Sequence, residues 1–314
     1  MKSFDFQLFA TSLTDAFEAL KSNQDGQVAQ YIAPLAKVNP EHFALSLFCL
    51  DGQTLDLGDV TQPVCLQSVS KPINYCLALE ALGEEQVHQH MGFEPSGQVF
   101  NELSLNHQGL PHNPMINAGG IMSCSLIQPQ RLLSERFEYI QNTWQQLGSG
   151  SAPGFNNTVY QAERLSADRN FALAYFMREN KAFTPQVDLL ETLELYFQCC
   201  SIELNVSDLA VVAATLARGG RHPISDQRIF KPQTVRHCLS LMQSCGLYNF
   251  SGEFAFRIGL PAKSGVSGLL MVVLPGLGGL AIWSPRLDHY GNSVRAVALC
   301  QQLVKRFPLH IFDC

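Results

Sequence analysis

The chain has 314 residues, of which 46% are hydrophobic and 15% charged. That length suits one large domain or two ordinary ones around a sizeable core, and the composition excludes a disordered chain. Twenty-one basic against 27 acidic residues give a net charge of -6, so the cationic footprint that nucleic acid or an anionic membrane requires is missing.

In chain order, Phe6, Phe9, Leu13, Phe17 and Leu20 recur at helical spacing and predict an amphipathic packing helix. Asp5, Asp15 and Glu18 interrupt that stretch, which holds no Arg, so neither a signal peptide nor a transit peptide is expected. Phe43 to Leu50 reads as a strand, Asp51-Gly52 as a hairpin turn and Thr54 to Leu57 as the returning strand. From Leu66 to Leu82 the pattern turns helical. The segment from Glu94 to Pro114 is too long for a plain connector. Further helices are expected at Gln128 to Gln146, Arg169 to Asn180, Gln186 to Cys200 and Ser207 to Arg218. Phe254 to Leu260, Leu269 to Leu274 and Gly279 to Trp283 read as strands, and Ser293 to Phe307 as a last helix. Ser264 to Pro285 carries no charge, but Pro275, Gly276, Gly278 and Gly279 divide it. A hairpin of two buried strands accounts for it better than a membrane span.

Strands therefore gather at both ends with helices between. The expected fold is α+β: an antiparallel sheet flanked by terminal helices, with an all-helical domain inserted. Residues 1–66 and 225–314 are assigned to the sheet domain and 67–224 to the helical one, with the active site at their interface. Ten cysteines without a CxxC pair suit a reducing cytosol and small buried thiols. His88 and His90 lack a partner carboxylate or thiolate cluster, so no metal is expected, and His112 and His222 read as ordinary polar loop residues.

Chemistry enters at Ser68-Val69-Ser70-Lys71. Residues at i and i+3 share a helix face, which would place the Ser68 hydroxyl beside the Lys71 amine. A serine is a weak nucleophile until a neighbour takes its proton, and a desolvated lysine can do so. Alone the tetrad is an ordinary helix start that chance supplies. Lys263-Ser264-Gly265 before an apolar strand adds the K-[ST]-G triad of penicillin-recognising serine acylases. Gly265 would let substrate lie against the strand edge, and the Ser68 and Val266 backbone N–H groups could form an oxyanion hole. Ser104-Leu105-Asn106 and Tyr290-Gly291-Asn292 both resemble the third motif of that superfamily, and either is short enough to be accidental.

Seven ordered blocks are more specific. They are Gln67 to Pro72, Glu94 to Gly97, His112 to Gly119, Asp168 to Phe171, Tyr196 to Gln198, Cys245 to Tyr248 and Ala262 to Val266. On these the chain resembles the serine-dependent glutaminases, including the catalytic domain of the kidney-type enzymes. The resemblance implies a β-lactamase/transpeptidase-like fold and hydrolysis of L-glutamine to L-glutamate and ammonia through a glutamyl-serine acyl-enzyme. Ser68 is implied as nucleophile, Lys71 as its activating partner, Tyr248 as a partner in proton transfer and Val266 as the second oxyanion donor. Tyr31, Asn117, Glu163, Asn170 and Tyr196 are implied to hold the substrate. Glu163 suits its ammonium, and the neutral donors suit its carboxylate and amide. Lys263 joins the catalytic set through its triad. No cofactor is implied; a homo-oligomer, dimer or tetramer, and a cytoplasmic location are. Glu102 and Ser104 stand where kidney-type enzymes carry lysine and phenylalanine, which puts phosphate activation in doubt. Gly120 replaces a usual alanine, expected to be without consequence. The alternatives are a β-lactam-reactive acylase and an inactive glutamine-binding sensor.

Overall fold

The computed structural model describes residues 4–98 and 102–313. The middle of the Glu94 to Pro114 segment and the tenth cysteine, Cys314, lie outside them.

Helix α1 (Phe6–Leu20) opens the chain, its first turn capped by Asp5, whose carboxylate accepts from the Leu8 N–H at 3.1 Å. Strands β1 (Ala44–Cys49), β2 (Thr54–Gly58) and the two-residue β3 (Val64–Cys65) follow. A 3-10 turn, Gln67–Ser70, runs directly into α2 (Lys71–Leu82). Next come α3 (Glu84–Val87), α4 (Asn117–Leu126), α5 (Leu133–Leu147), β4 (Gly154–Phe155), α6 (Asn157–Leu165), α7 (Asp168–Glu179), α8 (Leu189–Cys200), β5 (Ile202–Leu204), α9 (Val206–Ala217) and α10 (Pro232–Cys245). The chain ends with α11 (Ser251–Arg257), β6 (Ala262–Ser264), β7 (Leu269–Leu274), β8 (Gly278–Trp283) and α12 (Val294–Arg306).

Five strands form one antiparallel sheet in the order β2-β1-β8-β7-β6. The β7–β8 hairpin is the uncharged run, and every residue of both strands is buried. The side-chain period of two explains why. Leu270, Val272 and Leu274 face a core shared with α1, α11 and α12, while Leu269, Met271 and Val273 face a second core with the central helices. A sheet covered on both faces needs no polar alternation. Helix α9 lies so close to β8 that a Cβ on Gly279 would come within 2.2 Å of the Ala210 carbonyl. No helix of the described residues is long and apolar enough to cross a membrane.

A second, three-stranded sheet joins β3, β5 and β4. It fixes three approaches to one place. β3 leads to Ser68, β4 leads to the helix carrying Glu163, and β5 follows the helix carrying Tyr196.

Three expectations are corrected. Phe254 to Leu260 is not a strand; Phe254 lies in α11, with one phenylalanine inward and Phe256 84% exposed. The helix expected from Gln128 begins only at Leu133. His222 is no ordinary loop residue: it is buried, with Nε2 2.8 Å from the Gly148 carbonyl oxygen and Nδ1 accepting from the Ile224 and Ser225 N–H groups.

Candidate active site

Ser68 sits in the 3-10 turn rather than in the helix proper. In that tighter coil side chains three apart nearly eclipse, which brings the pair closer than an α-helix would. Lys71 Nζ donates to Ser68 Oγ at 2.6 Å and to Asn117 Oδ1 at 3.1 Å. Asn117 Nδ2 in turn donates to Asn170 Oδ1 at 3.1 Å. Four expected residues thus form one chain of hydrogen bonds from α2 through α4 to α7. Pro72 falls in the first turn of α2, where its missing N–H costs no intrahelical bond.

Lys71 is buried, and burial holds its pKa below the usual lysine value; Cys200, Glu163 and Cys124 oppose that drop. The ring of Tyr196, on α8, has its centroid 5.6 Å from the ammonium. Glu163, on α6, is 8% exposed. Burial raises its pKa, and the nearby Gln67 amide and Lys71 ammonium pull it back. Tyr31 lies on the loop after α1. Its ring is 55% exposed, yet its phenol is raised well above the ordinary value by surrounding protein and then by Glu163 and Tyr248.

Tyr248 closes the other side. Burial pushes its phenol up to about 12, with hydrogen bonding to Ser68 and Ser264 working against the rise. Its hydroxyl donates to the Ser264 carbonyl at 3.3 Å. Its backbone is left-handed, φ 55°, as is that of Gln67, φ 50°. Two non-glycine residues held in that region, both touching one serine, mark a locally strained site. Val266 packs with Tyr248 and Cys65. Among the described residues, neither the Ser68 nor the Val266 backbone N–H donates to a backbone carbonyl, as an oxyanion hole requires.

A Cβ on Gly265 would come within 2.8 Å of the Leu66 carbonyl and 3.2 Å of Val69, so the glycine lets the chain after β6 approach the serine turn. An added Cβ on Gly120 would lie 2.8 Å from Lys71 Cε and 3.0 Å from the Tyr196 ring, a contact that the flexible end of the lysine side chain can relieve. The Lys263 ammonium donates to the Gly246 and Ser264 carbonyls at 2.9 and 2.7 Å. Of the two short third-motif candidates, Asn106 organises its own turn by accepting from the Gln108 and Leu110 N–H groups. Asn292 donates to the Leu247 carbonyl at 3.4 Å, behind Tyr248.

Sequence reasoning missed Gln67. Its side-chain amide donates to the Cys200 carbonyl at 3.2 Å, and it adjoins both Ser68 and Glu163. The signal was available: a long amide directly before Ser68, inside the most specific block. His88 and His90 turn to separate partners, Tyr75 and the Ala182 carbonyl. Among the described residues no group of three histidines, cysteines or carboxylates could hold a metal ion.

The Ser68–Lys71 pair lies beside β6, the edge strand of the covered sheet, with Glu163, Asn117, Asn170 and Tyr196 carried on the helices around it. The chain belongs to the glutaminase family, whose model matches residues 26–312. It is 47% identical to a putative glutaminase 3 of Caenorhabditis elegans over 98% of this chain and 53% of that one. It is 41% identical to a glutaminase of Nostoc over 96% of this chain and 90% of that one. The chain spans about half the length of the first curated relatives it matches. Among solved structures, a probable glutaminase, ybaS, superposes with a TM-score of 0.93 at 33% identity, over 99% of this chain and 100% of that one. Mglu in its glutamate form superposes at 0.91 with 35% identity, over 97% of this chain and 69% of that one.

Proposed function

We propose that the protein hydrolyses L-glutamine to L-glutamate and ammonia through a glutamyl-serine ester. The reading is carried by one observation: Lys71 Nζ lies 2.6 Å from Ser68 Oγ, both buried, with the equally buried Glu163 close enough to Lys71 to feel its charge. Ser68 Oγ attacks the side-chain amide carbon, and its proton moves to the neutral amine of Lys71 or, through Tyr248, to the leaving nitrogen. The negative oxygen rests on the Ser68 and Val266 N–H groups. The C–N bond breaks as the nitrogen takes a proton, and ammonia leaves. Water then adds to the ester, glutamate departs, and Ser68 regains its proton. Glu163 pairs the substrate ammonium, while Tyr31, Asn117, Asn170 and Tyr196 offer neutral donors and acceptors to its carboxylate and amide. A family relative's structure holds glutamate, which supports this substrate class.

On this reading residues 67–224 act as a helical domain and residues 1–66 with 225–314 as the sheet domain, with the pocket between them. A homo-oligomer, dimer or tetramer, is expected; Phe256 and Leu165, 84% and 82% exposed, are apolar surface that such contacts would cover. Among the described residues nine cysteines are free and buried, which suits a reducing compartment, read here as the cytoplasm.

The test is ammonia release from glutamine without added metal or nucleotide, with asparagine alongside. Ser68→Ala should abolish turnover and leave the thermal melt unchanged. Wild-type turnover in that variant removes Ser68 as nucleophile. Glutamine binding by calorimetry with no ammonia over hours makes the protein a sensor, and labelling by a fluorescent penicillin makes it a β-lactam acylase.

A further inference from the structure

Lys263 is fully buried on β6 and, among the described residues, its nitrogen hydrogen-bonds two backbone carbonyls, Gly246 at 2.9 Å and Ser264 at 2.7 Å, and not Ser68. Those two carbonyls are the supports of Tyr248. The Ser264 carbonyl also accepts from the Tyr248 hydroxyl at 3.3 Å. The Gly246 carbonyl ends α10 two residues before Tyr248, and it also accepts from the Ser264 backbone N–H at 3.3 Å. The lysine nitrogen itself lies 4.4 Å from the centroid of the Tyr248 ring. One cation therefore touches the phenol's face, the carbonyl its hydroxyl bonds to, and the turn its backbone hangs from.

We infer that Lys263 is a positioning residue: it clamps the end of α10 to β6 and thereby holds the Tyr248 hydroxyl against Ser68. The clamp opposes a real strain, since Tyr248 sits at φ 55°, a conformation that a tyrosine adopts only when its surroundings over-determine it. The same packing leaves no slack, because a Cβ on Gly246 would lie 1.8 Å from the Ala262 carbonyl. The role rests on the proposed reaction and goes beyond it: the lysine of the K-[ST]-G triad acts through the tyrosine and not on the substrate.

A double-mutant cycle separates the two roles. Ammonia release is measured for the full chain as wild type, Lys263→Met, Tyr248→Phe and the double variant. Acting through Tyr248, Lys263→Met should lower kcat by about 30–100-fold with KM for glutamine changed less than about 3-fold, and should cost less than about 3-fold more in the Tyr248→Phe background. Multiplicative losses, or a loss confined to KM, overturn the inference. Lys263→Gln, which keeps a donor, should recover part of the kcat. If neither Lys263 variant melts cooperatively, the residue is a folding element and the inference falls. A wild-type chain that releases no ammonia overturns the glutaminase reading and this inference together; an active wild type with an additive cycle overturns this inference alone.

Discussion

At the scale of single residues, the proposed reaction depends on two titrations that both make it faster as pH rises. Glu163 must be ionised to pair the substrate ammonium, and burial has raised its pKa above the usual carboxylate value. Lys71 must be neutral to take the serine proton, and burial has lowered its pKa below the usual lysine value. Glu163 therefore sets the lower rising limb of kcat/KM and Lys71 the upper one. Bound glutamine brings its own positive charge to Glu163 and favours the carboxylate, so the lower limb should lie at lower pH in kcat than in kcat/KM. Glu163→Gln should remove that limb and raise KM about 10–100-fold, the range expected for a charge-assisted hydrogen bond of about 1.5–3 kcal/mol. Steady-state kinetics across pH check it, and an unchanged KM removes Glu163 from the ammonium site. Ser68 and Lys71 were legible because their pairing is local, three residues apart. The direction of Lys263 was not, since a triad spacing says nothing of which way a strand turns its side chains. The anchor of Gln67 was not legible either, because it lies at Cys200, distant in sequence.

At the scale of elements, periodicity revealed what is amphipathic and concealed what is not. The β7–β8 hairpin, α1, α8, α9 and α12 fall close to where hydrophobic spacing put them. Helix α4, which carries Asn117, is buried at every position and so has no polar face to betray a period. The two-residue strands β3 and β4 exist only through pairing with β5, residues far away in sequence. No helix was expected over α10, although Val235, Cys238, Leu241, Met242 and Cys245 form an amphipathic stripe that is buried in the fold. The alternation in Phe254-Ala255-Phe256 imitated a strand, whereas α11 simply exposes its second phenylalanine. The contact that joins the two covered faces is more demanding than any single element. Gly279 meets both the Ala210 carbonyl and the Ala214 nitrogen at 2.2–2.3 Å from a would-be Cβ, so only glycine lets α9 lie on β8. Gly279→Val should push the helix off the sheet and destabilise the fold by about 3 kcal/mol or more. Urea unfolding measures it, and a loss under about 1 kcal/mol would show that the helix and sheet separate at little cost.

At the scale of the whole molecule, two of its lysines are placed where stability alone would never put them. Lys71 and Lys263 are buried, and their partners are uncharged: Ser68 and Asn117 for one, the Gly246 and Ser264 carbonyls for the other. Each has its pKa lowered chiefly by burial, and Lys263 is lowered further by Lys71. A lysine whose folded pKa is depressed binds its proton more readily in the unfolded chain. Between the depressed values and the ordinary 10.5, the unfolded state holds more protons, so stability should rise with pH across that window. Glu163 acts oppositely at acid pH, where its raised pKa makes the folded state the better proton binder. Desolvating an amine whose hydrogen-bond partners are all neutral is a cost that the proposed catalytic arrangement imposes on the fold. Lys71→Met keeps the length and removes the charge. It should abolish turnover, raise the melting temperature by about 2–4 °C and flatten the rise of stability with pH. Thermal melts of wild type and variant from neutral to alkaline pH decide the matter. A fall of more than about 5 °C would mean that the hydrogen bonds of Lys71 outweigh its desolvation, and that the fold and the reaction want the same residue there.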